Sequence, residues 1–217
     1  MPDFEQRRRL MVDTQIRPSD VTKFPIIDAM LTVPREHFVP GSLREAAYVG
    51  ETLSIGRDRV LLEPRSLAKM LDALDIQPSE LVLDVGCGLG YSAALIARLA
   101  EAVVAVEPME GLAEEGQGIL ADAGIDNAVI LERALTNGAP KHGPYDVITL
   151  QGAVEILPDG LLAQLKEGGR IGCIFADGDL GILKVGTKID GRISWRFVCN
   201  VGAPVLPGFA REAHFAL

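Results

Sequence analysis

The chain has 217 residues, 48% of them hydrophobic, with 21 lysines and arginines against 30 aspartates and glutamates. That is enough apolar material for one buried core, and a formal charge of -9 offers no clustered cationic face of the kind a nucleic-acid backbone requires. No apolar run is long enough for a membrane span, the residues after Met1 do not read as a signal peptide, and Cys87, Cys173 and Cys199 lie too far apart for a paired framework; a reduced, cytoplasmic protein is expected.

Asp3 to about Thr14 suits a short helix, on which Arg7, Arg8 and Arg9 read as a solvated face rather than a contact site. A second helix, capped by Ser19 or Asp20 and running to about Thr32, gathers Val21, Phe24, Ile27, Met30 and Leu31 into one stripe, with Pro25 allowing a later start. Val33 to Pro40 is a proline-bounded connector, and Ala46 to Gly56 continues as irregular or short-strand structure. Residues 1–63 thus read as an N-terminal helical cap on a core of 64–217, within a single domain. Ser66 to Leu74 is an amphipathic helix presenting Leu67, Met70, Leu71 and Leu74 on one face.

Strands and helices then alternate: Leu81 to Val85, Tyr91 to Leu99, Val103 to Val106, Gly111 to Ala123, and Ala128 to Leu131. Such alternation implies an α/β fold with a parallel sheet and crossover helices. Strands at Asp146 to Leu150 and Arg170 to Phe175 follow, separated by a helix from Gly160 to Lys166 that stops at Gly168-Gly169. Lys184 to Val201 suits a hairpin turning near Asp190-Gly191.

The run Leu81-Val82-Leu83-Asp84-Val85-Gly86-Cys87-Gly88-Leu89-Gly90-Tyr91 sets an acid and three alternate glycines between a strand and a helix. Glycines turn the backbone sharply and admit a ligand close to it, next to the free N–H groups of the helix. The spacing is G-x-G-x-G rather than the G-x-G-x-x-G of pyrophosphate binders, and Asp84 disfavours an anion while suiting a cationic ligand. Glu107, ending the next strand about twenty residues on, is placed to accept both hydroxyls of a ribose. A nicotinamide-linked oxidoreductase fits this spacing poorly. For Cys87, a small buried residue within the loop is the expected role, not a nucleophile.

These residues resemble the class I S-adenosylmethionine-dependent methyltransferases, with a Rossmann-like sheet carrying helices on both faces. The chain as a whole resembles the protein-L-isoaspartate O-methyltransferase family. The likeness runs from about Arg9 to Arg170 through Arg9-Leu10-Met11-Val12, Gln15-Ile16, Ala29-Met30, Val33 to Pro40, Ala47-Tyr48, Ile55-Gly56 and Gly143-Pro144-Tyr145-Asp146. It implies that Asp84, Gly86, Cys87, Gly88 and Gly90 form the methionine-side loop for S-adenosylmethionine and that Glu107 holds its ribose. The implied reaction is methyl transfer to an isoaspartyl carboxylate of a damaged protein or peptide, for repair.

Two segments depart from that pattern. Val60, Leu61 and Leu62 stand where the family carries a Thr-Ile-Ser segment that helps hold the substrate, so both hydroxyl positions, Val60 and Leu62, are apolar and no catalytic residue is assigned. Ala134 stands where the family places the acid that receives the adenine amino group, with Glu132 the nearest substitute. The loop residues Arg57, Asp58, Arg59 and Glu63 can hold an anionic substrate, although a surface ion-pair cluster is the commoner use of such residues. His37 and His142 read as structural or solvated. The alternative to the isoaspartyl reaction is a small acceptor, or a cofactor- or protein-binding module of the same fold.

Overall fold

The structure, a computed structural model, describes residues 3–56, 59–178 and 180–211. Asp3 caps helix α1, Phe4–Met11, by accepting the Gln6 N–H at 2.9 Å. The coil does not stop at Thr14. It widens into a π turn, Val12–Ile16, tightens through Arg17–Ser19, and ends at Asp20 with a φ of 63°. Met11, Val12 and Ile16 all lie in the core across this change of pitch.

The expectation of a solvated arginine face fails at Arg8, whose guanidinium donates to Glu36, to the Tyr48 hydroxyl at 2.9 Å and to the Leu31 carbonyl at 3.3 Å. Arg7 and Arg9 do lie at the surface, in ion pairs with Glu45 and Glu5. Helix α2, Phe24–Thr32, begins later than Asp20 because Pro25 occupies its first turn, where a missing N–H costs nothing.

Strands β1, Leu53–Gly56, and β2, Arg59–Leu61, form an antiparallel hairpin separate from the main sheet. Helix α3 spans Pro64–Leu74 and is followed by β3, Leu81–Val85; α4, Tyr91–Ala97; β4, Ala102–Glu107; α5, Glu110–Asp122; and β5, Ala128–Glu132. Then come β6, Tyr145–Val154; a single-turn α6, Asp159–Leu162; β7, Leu165–Asp177; β8, Leu180–Ile189; and β9, Arg192–Asn200. The sheet order is β5-β4-β3-β6-β7-β8-β9, parallel from β5 to β7 and antiparallel beyond.

Alternation along the strands divides the core. Val82, Val103, Ala105 and Val147 face the layer containing α1 to α5, while Leu83, Val85, Val104, Val106 and Ile148 face Leu135, Leu161, Leu206 and Phe209. Several boundaries differ from the sequence expectation: β6 runs on to Val154 rather than Leu150, and β7 starts at Leu165 rather than Arg170. The helix expected from Gly160 to Lys166 ends at Leu162, because Gln164 turns inward and ties Asn137, Ala139, Tyr145 and Gly160 through its side chain and carbonyl. Gly168-Gly169 is not a helix stop but part of an irregular stretch of β7, between the pairs Tyr145↔Leu165 and Val147↔Arg170. The final hairpin starts at Leu180, not Lys184, and turns at Asp190-Gly191 as expected, with φ of 51° and 72°.

Candidate active site

After β3 the chain continues outward to β4 and β5; it then returns to lay β6 on the other side of β3. The carboxyl ends of β3 and β6 therefore flank the point where strand order reverses, the place where open α/β sheets receive ligands. The glycine loop leaves β3 there. Gly88 has a φ of 56°, and a β-carbon on it would meet Ile55 Cδ1 at 2.7 Å, so β1 rests directly on bare backbone.

Asp84 is fully buried at this junction. Its carboxylate accepts from Thr149 at 2.8 Å and Gln151 at 2.7 Å, both on β6, and from Ser92 at 2.5 Å in the first turn of α4. Burial raises its pKa, opposed by the hydrogen bonds from Ser92, Gln151 and Thr149; the nearby Glu107 charge adds to the rise. Both oxygens are thus engaged within the protein.

Glu107 ends β4 with no exposed surface. One oxygen accepts the Gly88 N–H at 3.1 Å, and Arg59 Nε lies 2.9 and 3.0 Å from the two oxygens. Arg59 itself is 2% exposed. The expectation of a surface ion-pair cluster is therefore corrected at this residue, which forms a buried ion pair across 48 positions of sequence. Arg57 and Asp58 lie outside the described residues. Glu63 is partly buried and accepts from Ser66.

Cys87 is buried within the influence of both acids; burial, then Asp84 and Glu107, push its thiol pKa well up, so it is a protonated packing group. Leu61 and Leu62 are buried and Val60 partly so; the Leu62 carbonyl is clamped by Arg35 Nη2 at 2.7 Å, while Arg35 lies 4.8 Å over the Tyr91 ring. Glu132 is the register partner of Glu107 at the exposed end of β5, and Ala134 follows it, also exposed. His37 and His142 are exposed.

Sequence reading did not reveal the partners of either acid. Ser92, Thr149 and Gln151 carry no motif of their own, although alternation along β6 would have put Thr149 and Gln151 on one face. It also missed the segment before Phe209, which pairs with Ala153 through Pro204 and Leu206 and brings Leu206 within 3.3 Å of where a Gly86 β-carbon would stand.

Residues 6–198 match the family model described as Protein-L-isoaspartate(D-aspartate) O-methyltransferase. Protein-L-isoaspartate O-methyltransferase 2 of Pelobacter propionicus is 36% identical over 167 residues, 77% of this chain and 74% of the relative. The Syntrophus aciditrophicus protein-L-isoaspartate O-methyltransferase is 38% identical over 171 residues, 79% and 78% of the two chains. A solved protein-L-isoaspartate O-methyltransferase superposes with a TM-score of 0.80 at 24% identity, covering 94% of this chain and 66% of its own. A Plasmodium falciparum structure described as a putative protein-L-isoaspartate O-methyltransferase, in complex with S-adenosyl-L-homocysteine, gives 0.78 at 18% identity, covering 95% and 99%. At those identities the structural likeness speaks for the fold.

Proposed function

The chain belongs to the protein-L-isoaspartate(D-aspartate) O-methyltransferase family, and we propose that it transfers a methyl group from S-adenosylmethionine to an isoaspartyl carboxylate of a protein or peptide. The observation that carries this reading is the glycine loop at the strand-order reversal, hydrogen-bonded through Gly88 to the strand-end acid Glu107. In this proposal Gly86, Cys87, Gly88 and Gly90 supply the backbone against which the cofactor lies, and Glu107 accepts its ribose hydroxyls. Asp84 acts one layer behind, fixing the loop to α4 and β6. Residues 1–63 serve as the cap and 64–217 as the cofactor-binding core.

When bound, S-adenosylmethionine supplies a methyl group on a positively charged sulfur. The acceptor carboxylate is already ionised near neutral pH, so this chain's residues need only align it and exclude water. The exposure of both His37 and His142 agrees with a reaction that needs no general base. A cytoplasmic setting is supported by Cys87, Cys173 and Cys199, all free and buried; no helix among the described residues is long and apolar enough to cross a membrane.

One observation favours the second reading, a binding module or an altered acceptor: the family's hydroxyl positions are the apolar Val60 and Leu62 here. Transfer of labelled methyl groups to isoaspartyl peptides decides between them. Turnover that rises in Val60→Thr/Leu62→Ser supports isoaspartyl chemistry. Absence of label in either protein, with S-adenosylmethionine binding intact, favours the second reading.

A further inference from the structure

We propose that Arg59 is a built-in occupant of the ribose position, so that a nucleoside reaches Glu107 only after this guanidinium has left it. The inference rests on the assignment of Glu107 to the ribose and adds a competitor from the chain itself. Arg59 Nε lies almost equally far, 2.9 and 3.0 Å, from the two carboxylate oxygens and so occupies the edge between them. A vicinal diol straddles that same edge when it donates one hydrogen to each oxygen. Among the described residues, the carboxylate also accepts from the backbone N–H groups of Gly88 at 3.1 Å and Met109 at 3.4 Å.

Burial makes the competition unavoidable. Arg59 is 2% exposed and Glu107 not at all, so no ligand can share the pair from solvent. The arginine is also carried by an element outside the main sheet. The β1–β2 hairpin is not hydrogen-bonded into the seven-stranded sheet and carries a bulge between Ser54 and Gly56. Ile55 of the same hairpin lies on Gly88, so one movement uncovers both the acid and the loop. The charges favour the exchange. Glu107 lies close enough to Asp84 to add to the rise in that acid's pKa, and a sulfonium nucleoside brings a positive charge as the guanidinium departs.

The test is calorimetric titration with S-adenosyl-L-homocysteine, which lacks the sulfonium charge, so that any gain reports the ribose contact and not general attraction to a more negative site. Arg59→Gln is expected to bind at least tenfold tighter than the wild type, with Arg59→Lys between them. Equal or weaker binding by Arg59→Gln overturns the proposal and makes Arg59 a support for Glu107. If neither wild type nor variant binds, the cofactor assignment fails and the inference with it. A measurement on the unaltered protein guards against a destabilised variant: the Arg59 Nε–H resonance in ¹⁵N-arginine-labelled protein, assigned by its loss in Arg59→Lys. On saturation with S-adenosyl-L-homocysteine it is expected to move to the position and exchange rate of a solvated arginine; an unchanged resonance overturns the proposal.

Discussion

Asp84 and Thr149 are register partners on β3 and β6, and the threonine hydroxyl donates to the carboxylate at 2.8 Å. With Gln151 and Ser92 completing its shell, one acid ties both strands at the reversal point to the helix that follows the glycine loop. Asp84→Asn keeps the shape but turns an NH2 group toward donors. The expected loss is about 1 to 3 kcal/mol, the cost of a buried donor left without an acceptor. Urea unfolding checks this, and an unshifted midpoint would show that the shell re-forms around the amide.

Gly88 and Ile55 are coupled by contact. Gly88→Ala combines a φ of 56° with a 2.7 Å approach to Ile55 Cδ1, and is expected to lower stability by more than the roughly 1 kcal/mol of the backbone conformation alone. Ile55→Val removes that Cδ1 atom. The double variant is expected to be more stable than the sum of the single changes predicts, whereas strict additivity in a double-mutant cycle would place the strain elsewhere.

Glu107→Ala is expected to abolish measurable S-adenosyl-L-homocysteine binding and to lower stability, because the buried Arg59 loses this carboxylate. Arg59→Gln/Glu107→Gln removes both charges and is expected to recover most of the stability but none of the binding. Thermal melting and calorimetry on the same samples separate the two effects, and retained affinity in Glu107→Ala would remove the ribose role.

Tyr145 is buried, donates its hydroxyl to the Ala139 carbonyl at 2.7 Å, and has a pKa pushed by burial up to about 12. Unfolded tyrosine ionises near pH ~10, so above that pH the folded chain retains a proton that the unfolded chain releases, and stability falls as pH rises toward the folded value. Tyr145→Phe is expected to lower stability at neutral pH by about 1 kcal/mol while making the alkaline decline shallower. Denaturation midpoints between pH ~9 and ~12 test the sign; a steeper decline in the variant would contradict it.

The region from Leu81 to Glu132 was legible because each strand is a short apolar run and each crossover helix lies between two of them. The glycine loop was legible for the same local reason. What could not be read depended on distant partners. Arg59 and Glu107 are 48 residues apart, and Asp84 meets Thr149 and Gln151 across 65 and 67. Arg8 was misread because three adjacent arginines carry the same local signal, whereas only Arg8 meets Glu36 and Tyr48 once the second helix is packed. Gly168-Gly169 looked like a helix terminus because two glycines break a strand irregularly as readily as they end a helix.

The three cysteines give the molecule a chemical stopwatch. Each thiol is free, buried and held protonated, Cys87 in the glycine loop, Cys173 in β7 and Cys199 on the edge strand β9. An alkylating reagent added to the native protein is consumed only as fast as each layer breathes open. The three labelling times, resolved by mass spectrometry, therefore clock the glycine loop, the middle of the sheet and its edge without an introduced probe.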